Sequence, residues 1–178
     1  MKRRLWRCLL LWCVSIAPVQ AARLDGFVIK VVDGDTFDLR LPSGKVERIR
    51  LGAIDAPELA QPFGRRSAAA LRQIALRRPV SVVVSKRDSH GRAVGRARVA
   101  SASTCPSASS KCERDLDLAL AQLESGMAWH YTHFAAEQPP ALRDHYAAAE
   151  RRSRASRRGL WNASHPIAPW DWRRRSPP

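Results

Sequence analysis

The sequence predicts an α+β protein in which a five-stranded β-meander is combined with three helices. Short β-branched or alternating runs are separated by Gly, Pro and Asp turn signals, and other stretches show helical periodicity. The chain has 178 residues, of which 45% are hydrophobic. This size and composition favour a single domain with a core of its own.

The meander consists of strand-like runs that are each bounded by turn chemistry. Val46–Leu51 alternates apolar and charged residues, which is typical of a strand with one buried face. The turn signals are Asp33-Gly34-Asp35, Pro42-Ser43-Gly44-Lys45 and Asp88-Ser89-His90-Gly91. The predicted strands are 27–32, 36–41, 46–51, 79–85 and 93–100.

The three predicted helices are 62–76, 117–124 and a third that runs from 139 to about 158. Phe63, Ser67 and Leu71 fall on one face of the first helix. Gly159 supplies the left-handed residue that commonly follows the end of a helix, here the third. A five-strand meander with helices, on a basic chain, is consistent with an OB-type barrel.

The first 21 residues are expected to be a signal peptide. Cations near the start precede an apolar stretch, 8–18, that is too short to span a bilayer comfortably, and small residues favour cleavage after Ala21. An uncleaved anchor is the alternative. The signal predicts export to the periplasm or the medium, with no stable membrane insertion after cleavage.

Residues 22–163 are expected to form the folded domain, interrupted by a Ser- and Ala-rich surface loop at about 101–114. Cys105 and Cys112 in this loop remain after signal cleavage, and we expect them to form a disulfide in an oxidising compartment. Two free thiols are the alternative. The basic tail 164–178, rich in Pro, Trp and Arg, has no regular period and is interpreted as a solvated extension.

The charge of the chain indicates its class of partner. Lys and Arg number 31 against 16 Asp and Glu, a formal net charge of +15. Such a balance attracts polyanions, either nucleic acid or an anionic membrane surface.

Three polar clusters, 32–36, 50–58 and 88–92, carry the candidate chemistry. Taken singly, each is explained by a hairpin turn or a helix cap. Together they supply the parts that phosphodiester cleavage requires, namely a cation, a positioned water and positive charge at the phosphate.

The residues in these clusters match those requirements. Asp35 and Asp55 are hard oxygen ligands suited to Ca²⁺. Glu58 lies three residues beyond Asp55 and can therefore reach a water beside the metal. Arg50 and Arg92 carry planar, permanently charged forks that match phosphate oxygens.

The order and spacing of the three clusters resemble the staphylococcal nuclease (thermonuclease) family, from about Val28 to Trp161. The resemblance implies an OB-fold five-stranded barrel with three helices, and it makes 22–163 a nuclease domain. It further implies a Ca²⁺-dependent endonuclease that cleaves DNA and RNA with little sequence specificity. We expect a monomer that prefers single strands.

The resemblance also implies a metal site. Asp35 and Asp55 would bind Ca²⁺ together with the backbone carbonyl of Ala56. Asp33 would not bind the metal itself but would help to position these ligands. The family prototype has Thr where Ala56 stands, which matters little because only the carbonyl is needed.

The remaining roles implied by the resemblance concern the phosphate and the attacking water. Arg50 and Arg92 would hold the phosphate and stabilise the transition state. Glu58 would be either the general base or a group that positions the water. Ser89-His90 replaces a Lys-Tyr pair that contacts a terminal phosphate in the prototype, so the preference for strand ends stays open.

Two other classes of function compete with a nuclease. An OB domain that binds single strands without cutting them would need no carboxylates beside a phosphate cradle, since these repel the ligand. A membrane-surface protein would need an amphipathic helix with large apolar residues, whereas the third helix is mostly Ala on that side.

Overall fold

The computed structural model describes residues 22–100 and 113–175. The predicted signal peptide, 1–21, and the predicted Cys105–Cys112 disulfide lie outside the described residues. In chain order the strands are β1 (Arg23–Val31), β2 (Thr36–Arg40), β3 (Val46–Leu51), β4 (Ile54–Asp55), β5 (Pro79–Arg87), β6 (Ala93–Val99), β7 (Leu116–Asp117) and β8 (Trp129–His130). The α-helices are α1 (Gly64–Ala75), α2 (Leu118–Glu124), α3 (Pro140–Ala155) and α4 (Pro169–Arg175).

Five of the strands form a closed barrel. Strand β1 pairs antiparallel with both β2 and β5, β2 pairs with β3, and β5 pairs with β6. The parallel pairing of β3 with β6, with Ile49 opposite Ala93, closes the ring. The predicted OB-fold barrel is therefore confirmed.

The barrel core is filled by the inward residues of the alternating strands. In β3, for example, Ile49 and Leu51 are fully buried, while Arg48 before them is exposed and Arg50 between them is only partly buried. Leu71 of α1 and Leu118 and Leu123 of α2 join the same core. Because helix and strand residues share one core, the position of each loop between them is fixed by packing on both sides.

The three predicted helices are present as α1, α2 and α3, with ends that differ by a few residues from the expected bounds. The short strands β4, β7 and β8 were not predicted, because two residues are too few to show a period. Within the described ranges, no helix combines the length and apolar character that membrane crossing requires.

The C-terminal segment differs from the interpretation as a solvated extension. Residues 169–175 form helix α4, and Ala168 and Pro169 before and at its start are buried. Proline is favoured in the first turn of a helix, where its missing N–H has no partner to lose. The helix is only seven residues long, which is why its period does not stand out in the sequence.

Buried Asp117 ties the barrel to two helices. One carboxylate oxygen, Oδ1, accepts from the backbone N–H groups of Ala119 and Leu120 at 3.0 and 3.2 Å and so caps α2. The other, Oδ2, accepts from Arg96 Nε of β6 at 2.5 Å and from the Tyr146 hydroxyl of α3 at 2.8 Å. Burial and the neighbouring charge of Asp117 both raise the pKa of Tyr146, which therefore stays protonated and donates.

Asp117→Ala should lower the free energy of unfolding by about 3–5 kcal/mol, because it removes a helix cap and leaves the partners of a buried charge unsatisfied. Urea unfolding of the purified chain measures the change. Asp144→Ala, which alters an exposed carboxylate of α3, is the matched control and should change stability by less than about 0.5 kcal/mol. A similar loss in both variants would contradict the anchoring role of Asp117.

Candidate active site

One cleft of about 330 Å³ gathers the predicted site residues. It lies where the β1–β2 turn, strand β3, the loop from β4 to α1 and the β5–β6 hairpin meet. Its lining residues are Asp33, Asp35, Arg50, Asp55, Ala56, Glu58, His90, Arg92 and Arg173. The seven residues predicted to take part in metal binding or catalysis are thus brought together, and His90 and Arg173 also line the cleft.

The β1–β2 turn that carries Asp33 and Asp35 is tightly packed. The side chain of Asp33 accepts from the backbone N–H of Asp35 at 3.0 Å, which holds the turn closed. Gly34 between them has no room for a side chain, because a Cβ there would lie 1.9 Å from Ser67 Oγ of α1. Gln122 Nε2 of α2 donates to the carbonyl of Gly34 at 2.6 Å. Both helices therefore fix where Asp35 stands.

Arg50 bridges the two carboxylates that were predicted to bind metal. The register of β2 with β3 sets Arg50 opposite Thr36, beside Asp35. Its Nη1 lies 3.3 Å from Asp35 Oδ2, and its Nη2 lies 2.9 Å from Asp55 Oδ1. Only 8% of the Asp35 side chain and 2% of the Asp55 side chain are exposed. A single cation can therefore lie against both carboxylates.

The backbone around these carboxylates is also held in place. Asp35 Oδ2 accepts from the N–H of Ala56 at 3.0 Å, and its Oδ1 accepts from the Thr36 hydroxyl at 2.8 Å. Strand β4 pairs with β8, setting Asp55 opposite Trp129. The segment 54–56 is therefore attached to the barrel on one side and to the strand after α2 on the other.

Crowding of buried charge shifts the pKa values in the cleft. Burial, reinforced by the charge of Asp35, raises the pKa of Asp33 to about 7. Burial also raises the pKa of Asp55, although the hydrogen bond from Arg173 and the charge of Arg50 oppose it. Burial alone would lower the pKa of Arg50, but the charges of Asp35 and Asp55 outweigh it and raise the value. Arg50 is therefore charged at every working pH.

Asp33→Asn should stabilise the metal-free protein at neutral and higher pH. The folded-state pKa of Asp33, about 7, lies above its ordinary value of 3.8. Ionisation of Asp33 therefore destabilises the folded state increasingly as pH rises from about 4 to about 7, and the destabilisation is complete above about pH 7. The amide oxygen of Asn can still accept from the N–H of Asp35. In chelator, the variant should gain about 2 kcal/mol over wild type near pH 8.

The pH dependence of this gain provides the check. In urea unfolding, the difference between Asp33→Asn and wild type should shrink as pH falls and approach zero below about pH 4, where the unfolded carboxyl also becomes protonated. A difference that stays constant with pH would show that the carboxyl of Asp33 does not titrate as described.

Arg92 is oriented by its own hairpin. Its Nε lies 2.7 Å from Asp88 Oδ2, while Asp88 Oδ1 accepts from the backbone N–H groups of His90 and Arg92 at 3.0 Å each. Burial would raise the pKa of Asp88, but these bonds from Arg92 and His90 outweigh it and lower the value. Among the described residues this pair uses only Nε, which leaves the two terminal nitrogens of Arg92 for a ligand in the cleft.

Glu58 and Arg173 meet at the rim of the cleft. The Glu58 side chain is 39% exposed, and its Oε1 lies 2.7 Å from Nη1 of Arg173. The other terminal nitrogen of Arg173, Nη2, lies 2.7 Å from Asp55 Oδ2. Burial would lower the pKa of Arg173, but its bonds to these carboxylates raise the value. Sequence reasoning missed Arg173, because three successive arginines near the end of a chain indicate only a basic tail.

The donor chemistry of the cleft fits Ca²⁺, which takes six to eight oxygen ligands from carboxylates, backbone carbonyls and water. The guanidinium of Arg50 already contacts both Asp35 and Asp55, so the pair accepts a cation between its carboxylates. Over 22–100 and 113–175, no three acidic, His or Cys side chains are grouped closely enough to form a metal site alone. The carbonyl of Ala56 and water would have to complete the ligand set.

Comparison with known proteins agrees with this chemistry. The family model described as staphylococcal nuclease homologue matches residues 48–163. Protein ParB of Escherichia coli is 36% identical over 181 residues, which cover 99% of this chain and 96% of that protein. An uncharacterized endonuclease of Escherichia coli O157:H7 is 31% identical, over 89% of this chain and 90% of that protein. Micrococcal nuclease of Shigella flexneri is 32% identical, over 92% of this chain and 88% of that protein.

Proposed function

The chain belongs to the staphylococcal nuclease family, and we propose that within it this protein is an exported, Ca²⁺-dependent endonuclease that cleaves DNA and RNA with little sequence specificity. Membership of the family makes the chain a hydrolytic nuclease with nucleic-acid substrates. Dependence on Ca²⁺, the range of substrates and the roles of individual residues are the proposed part.

The observation that carries the proposal is the composition of the cleft. Buried Asp35 and Asp55 lie in the same cleft as Arg50 and Arg92, which come from different strands and hairpins. A domain that only holds nucleic acid gains nothing from carboxylates beside its phosphate contacts, because they repel the ligand. A metal-dependent nuclease needs them to hold its cation. The cleft therefore favours catalysis over binding alone.

The proposed chemistry divides between the two arginines and Glu58. Ca²⁺ held by Asp35, Asp55 and the carbonyl of Ala56 would offset phosphate charge and polarise a water. Arg50 and Arg92 bind the phosphate oxygens and stabilise the extra negative charge that develops on water attack. Glu58, exposed at the rim, either accepts a proton from the attacking water or orients it.

The surroundings of the cleft favour a polymeric nucleic-acid substrate that is bound without sequence specificity. An adjoining groove of about 270 Å³ shares Asp33, His90 and Arg92 with the cleft and extends it toward Arg48. Cationic groups of this kind follow the backbone of a strand and carry no base information. Phe134 is 43% exposed and offers a face on which an unpaired base can stack, which supports a preference for single strands. We expect the protein to act as a monomer.

Export and the disulfide are part of the same proposal. The charged and apolar pattern of 1–21 supports signal cleavage after Ala21 and release to the periplasm or medium, with no membrane insertion afterwards. Mass spectrometry of the exported protein tests both features. We expect an N-terminus at Ala22 and a mass two hydrogens below the fully reduced chain from a Cys105–Cys112 bond. An intact N-terminus or two alkylatable thiols would contradict them.

The function is tested with purified mature protein on labelled single-stranded DNA and RNA, in Ca²⁺ and in excess chelator. We expect internal cleavage of both polymers in Ca²⁺ and none in chelator. Full activity in chelator would refute the metal dependence. Tight binding without cleavage under both conditions would favour the alternative of a non-catalytic OB-fold protein that binds single strands.

A further inference from the structure

The C-terminal segment 164–175 follows the part of the chain that matches the family model, 48–163, and it is docked against the active site. Gln61 Nε2 donates to the carbonyl of Ile167 at 2.7 Å. Trp170 packs edge to face on Trp129 with ring centres 5.6 Å apart, and its ring lies 5.4 Å from that of Tyr131. The segment from β4 to α1, which carries Asp55 and Glu58, therefore also contacts the chain just before the start of α4 through Gln61.

Docking of α4 places the guanidinium of Arg173 across two carboxylates of the cleft. Its Nη2 lies 2.7 Å from Asp55 Oδ2, and its Nη1 lies 3.3 Å from Asp55 Oδ1 and 2.7 Å from Glu58 Oε1. A planar fork that contacts both oxygens of one carboxylate and a second carboxylate is among the stronger ion-pair geometries. The neighbouring Arg174, by contrast, pairs with Asp171 of α4 and is 78% exposed.

These contacts occupy most of the positions on the Asp55 carboxylate at which another cation could bind. Its Oδ1 also accepts from Arg50 Nη2 at 2.9 Å, and only 2% of its side chain is exposed. A carboxylate has about four lone-pair positions, and the arginines already make three contacts with it, two at Oδ1 and one at Oδ2. A metal ion that binds Asp55 must therefore take the place of at least one guanidinium. Arg173 is the one at the rim, 42% exposed, whereas Arg50 is only 16% exposed.

We propose that Arg173 is an internal competitor of Ca²⁺, which occupies Asp55 and Glu58 until the ion displaces it and α4 leaves the cleft. The inference rests on the proposed function, because it takes Asp55 as a Ca²⁺ ligand. Two effects follow from the competition. The apparent affinity for Ca²⁺ is proportional to the fraction of molecules in which α4 is undocked, and docking therefore lowers it. Glu58, whose Oε1 is held by Arg173, is released from this ion pair only after Arg173 has left.

Calorimetric titration of Ca²⁺ into the mature protein, without nucleic acid, tests the competition. Arg173→Gln should bind Ca²⁺ more tightly than wild type, on the order of tenfold if α4 is docked in about nine molecules of ten. Arg174→Gln removes the same charge one residue away and should change the dissociation constant by less than about twofold.

Hydrogen exchange of the amides in 168–175, with and without Ca²⁺, separates displacement from a simple change in local field. In wild type, Ca²⁺ should increase exchange throughout this segment, while exchange in α1 stays the same. Tighter Ca²⁺ binding by Arg173→Gln without Ca²⁺-induced exchange in wild-type α4 would overturn the displacement. Unchanged or weaker Ca²⁺ binding by Arg173→Gln would overturn the competition itself. Failure of wild type to bind Ca²⁺ would refute the proposed metal dependence and this inference together.

Discussion

Asp35→Asn is expected to abolish Ca²⁺-dependent cleavage while the chain keeps its fold. Asp35 is the more suitable of the two acidic positions, because Asp55 pairs with two arginines, and its loss would leave Arg50 with Asp35 alone and Arg173 with Glu58 alone. An Asn oxygen can still accept from the Ala56 N–H or the Thr36 hydroxyl, so the turn keeps part of its support. What it loses is the negative charge that a hard cation requires.

The expected fall in kcat for Asp35→Asn is on the order of 10³-fold or more, since the metal, the phosphate charge it offsets and the water it polarises are lost together. Calorimetry should show Ca²⁺ binding weakened by on the order of tenfold or more. Asp25→Asn, which alters a partly exposed carboxylate of β1 that pairs with Arg23 and Arg114 and does not line the cleft, is the control and should match wild type in both assays. Near wild-type turnover by Asp35→Asn, with its fold verified by urea unfolding, would show that Asp35 does not hold the metal.

Arg92→Ala should lower kcat by on the order of 10²-fold, about 2.7 kcal/mol or more, with a much smaller change in KM for long DNA. The phosphodiester carries one negative charge, and the state reached by water attack carries about two. An arginine aimed at those oxygens therefore contributes more in the transition state than in the bound substrate. Binding of the polymer comes from the whole basic surface, where the loss of one charge matters little.

Arg50 should show the same kinetic pattern, but Arg50→Ala will also destabilise the fold, because it leaves buried Asp35 without its arginine and leaves buried Asp55 with Arg173 alone. Arg50→Lys retains the charge and separates the two effects, since an ammonium lacks the two-point fork. Arg87→Lys is the control, because Arg87 lies in β5, pairs with Glu47 of β3 and does not line the cleft. A variant of Arg50 or Arg92 that raises KM strongly with kcat near wild type would identify that arginine as a docking residue.

The barrel and the convergence of the site residues could be foreseen because each rests on a local signal. The alternation in β3 and the Asp-Gly turn after β1 are readable within a few residues, and the resemblance supplied the order in which such pieces combine. Arg50 illustrates what such local signals can and cannot predict. The combination of the three clusters indicated that it shares a site with Asp35 and Asp55, whereas its contact with both carboxylates depends on the β2–β3 register, which no local pattern specifies.

Arg173 could not be foreseen by the same reasoning. Its position depends on where α4 docks, and α4 is held by Gln61 and Trp129, which lie far from it along the chain. Short helices owe their stability to such tertiary packing more than to their own sequence. The pairing of β4 with β8 was missed for a related reason, since two-residue strands exist only through their partner.

The parallel pairing that closes the barrel joins Ile49 to Ala93 and Arg50 to Val94, and it has a consequence for biogenesis. The antiparallel pairs β2–β3 and β5–β6 connect neighbouring parts of the chain, but closure joins positions more than 40 residues apart and carries the larger loop-entropy cost. Arg50 and Arg92 belong to opposite sides of that seam. If the two arginines hold the phosphate as proposed, a nascent or unfolded chain has its phosphate-binding groups on separate hairpins, and we expect it to be catalytically silent. We therefore expect the cell that synthesises it to meet no nuclease activity until tertiary folding is complete.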